Sequence, residues 1–222
     1  MLCLNLCCGP NLFPGWRNLD KVDQSSYTEC LRDAEGTETW PDHQRPLVEH
    51  IKAGRITSEV HDVRQGLPQF EDCSVDAIYL GQCIEHFNRG TEVPRLLSDC
   101  FRVLKPGGRI RITTPDLQLL MDVALANRLG DFASEQPAFF AGALPEDQLS
   151  YLMFGAMGPN CTTENYEGHF HLYSERSLRA LLEATGFSEP LGPRGKDIRS
   201  PVFADCLDMG MSHSFAIEGV KP

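Results

Sequence analysis

Leu4-Asn5-Leu6-Cys7-Cys8-Gly9-Pro10 is the stretch that decides the fold. An apolar run of strand length passes straight into a turn of small residues, and such a turn lets backbone N–H groups approach a ligand closely. In open parallel α/β sheets the ligand crevice lies outside the carboxyl ends of the strands, so this turn marks a candidate binding edge. One glycine after an apolar strand is also ordinary turn geometry. Its weight comes from the rest of the chain.

Outward from this turn, short apolar strands alternate with helical patterns, as in a doubly wound, mainly parallel α/β sheet. Strands are expected over residues 2–6, 16–19, 55–60, 75–80 and 109–113, with two more near 202–207 and 214–220. A helix is expected over 46–53, with Leu47, Val48 and Ile51 on one face and Gly54 as its stop. Another is expected over 93–104, where Val93, Leu96, Leu97, Cys100, Phe101 and Leu104 keep the i, i+3, i+4, i+7 rhythm before Lys105-Pro106-Gly107-Gly108 ends it. A third runs over 117–129. Ser174 is placed to cap a fourth, whose Leu178, Leu181 and Leu182 face inward and whose end at Gly186-Phe187 suits a left-handed cap.

The 222 residues suit a single domain, with 131–168 as an insertion or lid over a substrate pocket, because so long a loop in a compact domain is usually functional. A formal charge of -11 and a pI near 5.0 speak against nonspecific nucleic-acid binding, which needs a basic face. The nine cysteines show no CxxC pair and no zinc-like spacing, so they read as reduced, mostly buried thiols of a cytoplasmic protein. No segment has the length or apolarity of a signal peptide or a membrane span.

The order of these pieces resembles the class I S-adenosylmethionine-dependent methyltransferases, most closely their small members with an opening like LNLGCGPN. The matching pieces are residues 4–11, Pro14-Gly15-Trp16 with Asp20, His61-Asp62-Val63, residues 74–79 running into Ile84-Glu85-His86, Leu104-Lys105-Pro106-Gly107-Gly108, and residues 169–187. The resemblance implies a Rossmann-like methyltransferase fold with an antiparallel last strand, S-adenosylmethionine as cofactor, and methyl transfer to a small-molecule acceptor. It implies cofactor contacts from Asn5, Cys7 and Gly9 in the first turn, from Asp20 to the ribose hydroxyls, from Asp62 and the Val63 amide to the adenine edge, and from Gln82 to the methionine end.

Two departures from the family pattern stand out. Cys7 occupies the place of the first loop glycine and Asn11 that of the third, so a Cβ sits where backbone freedom is wanted. The link between the first two strands is also too short for a helical crossover, so at most one helical turn is expected at 11–13, before a Pro14-Gly15 bend.

Proton removal from an acceptor would fall to His169 or His171, which alternate onto one face of an extended stretch. Both could instead anchor the following helix or pack on Tyr173, and with Glu167 they could hold a metal, although none is assigned. Phe139, Phe140, Tyr151, Met153, Phe154 and Met157 could line the acceptor pocket or form plain core. Asp20 and Asp62 could be turn caps, and Glu85-His86 a first-turn carboxylate with a packed histidine. Two rival functions remain open: a nonenzymatic module on the same fold, favoured by the lost glycines, and a nicotinamide oxidoreductase, disfavoured by the missing G-x-G-x-x-G.

Overall fold

The computed structural model describes residues 1–9, 11–25, 45–132, 144–154, 168–191, 200–204, 206 and 213–222. Its seven strands are β1 (Cys3–Leu6), β2 (Arg17–Asp20), β3 (Ser58–Val60), β4 (Val75–Gly81), β5 (Leu104–Pro115), β6 (Ser188–Leu191) and β7 (Ser214–Val220). They form one sheet in the order β3-β2-β1-β4-β5-β7-β6. All neighbours from β3 to β5 run parallel, and β7 is antiparallel to both β5 and β6. The described helices are α1 (Arg45–Lys52), α2 (Glu92–Val103), α3 (Leu117–Leu125), α4 (Pro145–Phe154) and α5 (Glu175–Thr185). The architecture is therefore the expected α/β sheet with an antiparallel last strand.

β1 lies between β2 and β4, and all four of its side chains are buried, as a central strand covered on both faces requires. Asn5 is tolerated there because its amide donates to the Asn11 carbonyl at 2.7 Å and to Asn18 Oδ1 at 2.9 Å. Asn18 in turn accepts from the Phe13 amide and donates to the Phe13, Trp16 and Thr57 carbonyls. These two buried amides fasten the short β1–β2 link in place of a crossover helix. No helical turn forms at 11–13; a turn at Pro14-Gly15 carries the chain round. Phe13 packs edge to face on Trp16 and Tyr79, and Trp16 lies tilted against Phe203.

Three expectations need correction. The strand expected over 55–60 shrinks to Ser58–Val60, because Arg55 still donates its amide to the His50 carbonyl and belongs to the end of α1. Lys105-Pro106-Gly107-Gly108 is not a free reversal: β5 begins at Leu104, pairs with Val75, and resumes with Arg109 opposite Ala77, so the four residues bulge within the strand. Gly107 has φ +77°, and a Cβ on Gly108 would stand 2.7 Å from the Lys105 carbonyl. Lys221 closes the bulge, exchanging backbone hydrogen bonds with Gly107 and Gly108 while its Nζ donates to the Leu104 carbonyl. The strand expected near 202–207 is instead a 3-10 turn, Pro201–Phe203, whose proline lacks the donor a ladder needs. The missed strand is β6, which follows α5 directly.

α5 forms as its sequence dictates. Ser174 and Ser177 make a reciprocal capping box, and Gly186 ends the helix at φ 111°. α2 buries Val93, Leu96, Leu97, Cys100 and Val103 against the sheet. α3 is shorter than expected, ending at Leu125 before a 3-10 turn at Leu129–Phe132. Of the expected insertion 131–168, the described part is the end of that turn, α4 and Gly168; α4 packs Leu152 with Leu120, Val123, Leu129 and Leu172. Phe139, Phe140, Met157 and Glu167 lie outside the described residues, as do the side chains of Leu47 and Val48. No described helix is long and apolar enough to cross a membrane.

Candidate active site

The carboxyl ends of β1 to β5 converge on one edge. After β1, Cys7 takes φ +53° and Gly9 φ +48°, and a Cβ built on Gly9 meets nothing within 4 Å, so the space beside the turn is open. The end of β2 is tied into this turn: Asp20 Oδ2 accepts from the Gly9 amide at 2.8 Å and Oδ1 from the Val22 amide at 2.9 Å. The Asp20 carbonyl accepts from the His61 amide at 2.7 Å, which fixes the end of β3 beside it. Next in the chain, Asp62 caps a 3-10 turn, Val63–Gln65, by accepting from the Arg64 amide, and Val63 is buried. Gln82, at φ +50° after β4, bonds to the Thr113 carbonyl and Ser214 Oγ.

Gly9 and Asp20 are thus in direct contact, and Asp62 follows His61, whose amide bonds to Asp20, with Gln82 on the far side of β1. Cys7 forms a disulfide with Cys83, with Cα atoms 5.9 Å apart, which ties the β1 turn to the end of β4. The expectation of reduced thiols is corrected for this pair. Cys3, Cys8, Cys73 and Cys100 are free thiols and, Cys73 apart, buried, and Cys206 is buried; Cys30 and Cys161 lie outside the described residues. Asn5 stands apart from the open edge, its side-chain amide committed to the loop beneath the turn.

A second group of polar residues sits where β4 and β5 end. A 3-10 turn, Ile84–His86, swings Glu85 under β5, where it is fully buried and its Oε2 accepts from Thr114 Oγ1 at 3.0 Å. The strap carrying the two expected histidines is pinned to the same turn: the Phe170 and His171 amides both donate to the Glu85 carbonyl. His169 is anchored twice more, by its amide to the Phe154 carbonyl and by Nδ1 to the Met153 carbonyl at 3.0 Å. Its ring meets that of His86 edge to face, 5.0 Å between centroids. His171 packs on Tyr173 at 4.7 Å, as one of the alternatives anticipated.

Burial sets the electrostatics here. It pushes Glu85 up to about 7, against the lowering effect of its hydrogen bonds. Burial, reinforced by the neighbouring His86, pulls His169 down to about 4. His171 is lowered by burial and by Arg89, while burial pushes Tyr173 up to about 12. Among the described residues three buried side-chain atoms lack a hydrogen-bond partner, and two of them, Glu85 Oε1 and the Tyr173 hydroxyl, belong to this group. Sequence reasoning treated Glu85 as a helix-start carboxylate. The available signal was a lone acid inside the apolar stretch Cys83-Ile84-Glu85-His86-Phe87.

The sequence matches the methyltransferase domain family over residues 15–188, and the chain belongs to that family of class I S-adenosylmethionine-dependent methyltransferase enzymes. The fold is similar to that of a SAM-dependent methyltransferase from Methanosarcina mazei, at TM-score 0.54 and 17% identity over 99% of this chain and 91% of that one. It is likewise similar to a SAM-dependent methyltransferase from Archaeoglobus fulgidus, at TM-score 0.52 and 14% identity over 99% and 85%. A protein from Pyrococcus horikoshii gives TM-score 0.52 and 15% identity over 99% and 81%. No curated protein sequence matches. The cofactor of the enzyme is S-adenosylmethionine. The first edge fits it: the turn is open at Gly9 among the described residues, and each Asp20 oxygen accepts one backbone hydrogen bond, which leaves lone pairs for a diol.

Proposed function

We propose that the chain transfers a methyl group from S-adenosylmethionine to a small-molecule acceptor held between the ends of β4 and β5 and the 168–171 strap. The single observation that carries this reading is the junction of Gly9, Asp20 and the β3 end at an open turn. Cys7 and Gly9 cradle the methionine part, Asp20 takes the ribose hydroxyls, Asp62 and Val63 read the adenine edge, and Gln82 closes the methionine end. Asn5 acts from beneath by holding the turn in shape. The bound cofactor supplies an activated methyl carbon, and the chain's own contribution is alignment and exclusion of water.

His169 and His171 serve the acceptor side. With Nδ1 of His169 donating to the Met153 carbonyl, the neutral ring presents a lone pair at Nε2. His171 lies on the same strap, less buried, beside Tyr173. The lid role proposed for 131–168 has α4 as its main described element. The acidic composition favours a small-molecule acceptor over nucleic acid.

Calorimetric titration with S-adenosylmethionine, S-adenosylhomocysteine and NAD(H) tests the reading. Binding of the first two alone, weakened in Asp20→Ala, supports it, whereas preferential NAD(H) binding overturns it. A homocysteine-release screen then separates an enzyme from a nonenzymatic module. Unchanged turnover in both His169→Ala and His171→Ala would remove the histidines from proton transfer.

A further inference from the structure

Glu85, His86 and His169 come from two distant parts of the chain, and one ligating atom from each lies within 4.8 Å of the others. A carboxylate with two imidazoles is a donor set suited to Zn²⁺, Mn²⁺, Fe²⁺ or Co²⁺, and three protein ligands leave coordination positions open. The surroundings are those of a built site. The turn and the strap are locked together by the bonds from Phe170 and His171 to the Glu85 carbonyl. Nδ1 of His169 is held by the Met153 carbonyl and that of His86 faces the Gly168 carbonyl, which fixes ring orientation as carbonyls commonly do behind metal-bound histidines. Thr114 holds one Glu85 oxygen, and the other has no hydrogen-bond partner among the described residues although Glu85 is fully buried. A buried carboxylate oxygen without a hydrogen bond is costly and calls for an ion or water to complete it.

We propose that Glu85, His86 and His169 bind a divalent transition-metal cation, whose open position takes an oxygen atom of the methyl acceptor. The second half rests on the reading of this edge as the acceptor pocket. Cations of this kind lower the pKa of a bound hydroxyl, so the acceptor class is a hydroxyl-bearing small molecule, whose oxygen bonds to the methyl carbon as the methyl–sulfur bond of S-adenosylmethionine breaks and S-adenosylhomocysteine leaves. His169 is then a ligand, and proton acceptance falls to His171 or to water.

The test is a titration of the chelator-stripped chain with Co²⁺, followed by calorimetry and visible absorption. One Co²⁺ per chain with ligand-field bands of nitrogen and oxygen donors is expected, and addition of acetohydroxamate, an oxygen-donor probe, should shift those bands. Affinity should fall about tenfold or more in Glu85→Gln and in His169→Gln and stay unchanged in His171→Gln. No Co²⁺ binding, a thiolate charge-transfer band, or equal affinity in all variants overturns the site; unshifted bands with acetohydroxamate overturn its acceptor role. If Glu85→Gln fails to fold by circular dichroism, His86→Gln and His169→Gln decide, since both residues are less buried. S-adenosylhomocysteine binding without Co²⁺ binding sinks this inference alone, whereas loss of both sinks the methyltransferase reading too.

Discussion

Asp20→Asn is the substitution whose outcome the geometry constrains most tightly. Each carboxylate oxygen of Asp20 already accepts a backbone N–H, Oδ2 from Gly9 and Oδ1 from Val22. An amide offers one acceptor and one donor, so either orientation aims an NH₂ group at a backbone N–H. One nearly buried donor then loses its acceptor, which costs about 1–3 kcal/mol. For a chain of this length a loss of about 2 kcal/mol corresponds to a melting point lower by about 4–8 °C. In the proposed ribose-binding role of Asp20, the same substitution removes the charge from two hydrogen bonds, each worth about 1.5–3 kcal/mol when the acceptor is charged. S-adenosylhomocysteine should therefore bind roughly ten- to a hundredfold more weakly. Thermal unfolding and calorimetry on the same preparation read the two effects separately. A lower melting point with unaltered affinity would make Asp20 a strut of the turn alone, and wild-type values for both would refute the hydrogen-bond argument.

Four further outcomes follow. Arg111 and Glu218 form a fully buried pair at 2.9 Å across β5 and β7, so Arg111→Met should cost about 3–5 kcal/mol in urea unfolding, while adding Glu218→Leu should recover most of it. Ser174→Ala should cost about 1 kcal/mol by loss of the capping box. In chelator-treated protein, His169, held near 4 when folded, contributes stability above its unfolded value of 6.5 that is lost as pH falls towards 4. Glu85, raised to about 7, contributes stability below its unfolded value of 4.5 that is lost as pH rises through 7. The two trends oppose each other between 4.5 and 6.5, so Glu85→Gln should steepen acid destabilisation there and His169→Gln should reverse it, as followed by pH-dependent melting. Peptide mapping after alkylation without reductant should return Cys7 linked to Cys83. Among the free described cysteines Cys73 should be labelled fastest, since burial pushes Cys3 to about 11 and Cys8 to about 12.

Much of the fold was legible because the signals were local. The apolar runs of β1, β4 and β7, the periodicity of α2, and the Ser174 and Gly186 boundaries of α5 depend on neighbours a few residues away. The errors fall where a distant partner decides. Lys105-Pro106-Gly107-Gly108 has the composition of a turn, yet Lys221 gathers it into β5 as a bulge. The apolar residues near 202 suit a strand, yet Pro201 cannot join a ladder and β6 takes the place beside β7. Neither partner is visible within a local window.

The same division holds at the site. The residue order alone determined a parallel α/β sheet, a ligand edge opening at Gly9, and the positions of Asp20, Asp62 and Gln82 after successive strands, because strand ends follow from hydrophobic runs and turns. Only the tertiary structure decided that Asp20 bonds to the Gly9 amide, that Cys7 meets Cys83, and that Glu85 lies beneath the strap carrying His169. Those contacts join residues from 11 to more than 76 positions apart, and no periodicity encodes them: they arise when the sheet order brings neighbouring strand ends together and burial leaves Glu85 with an oxygen that no described residue satisfies.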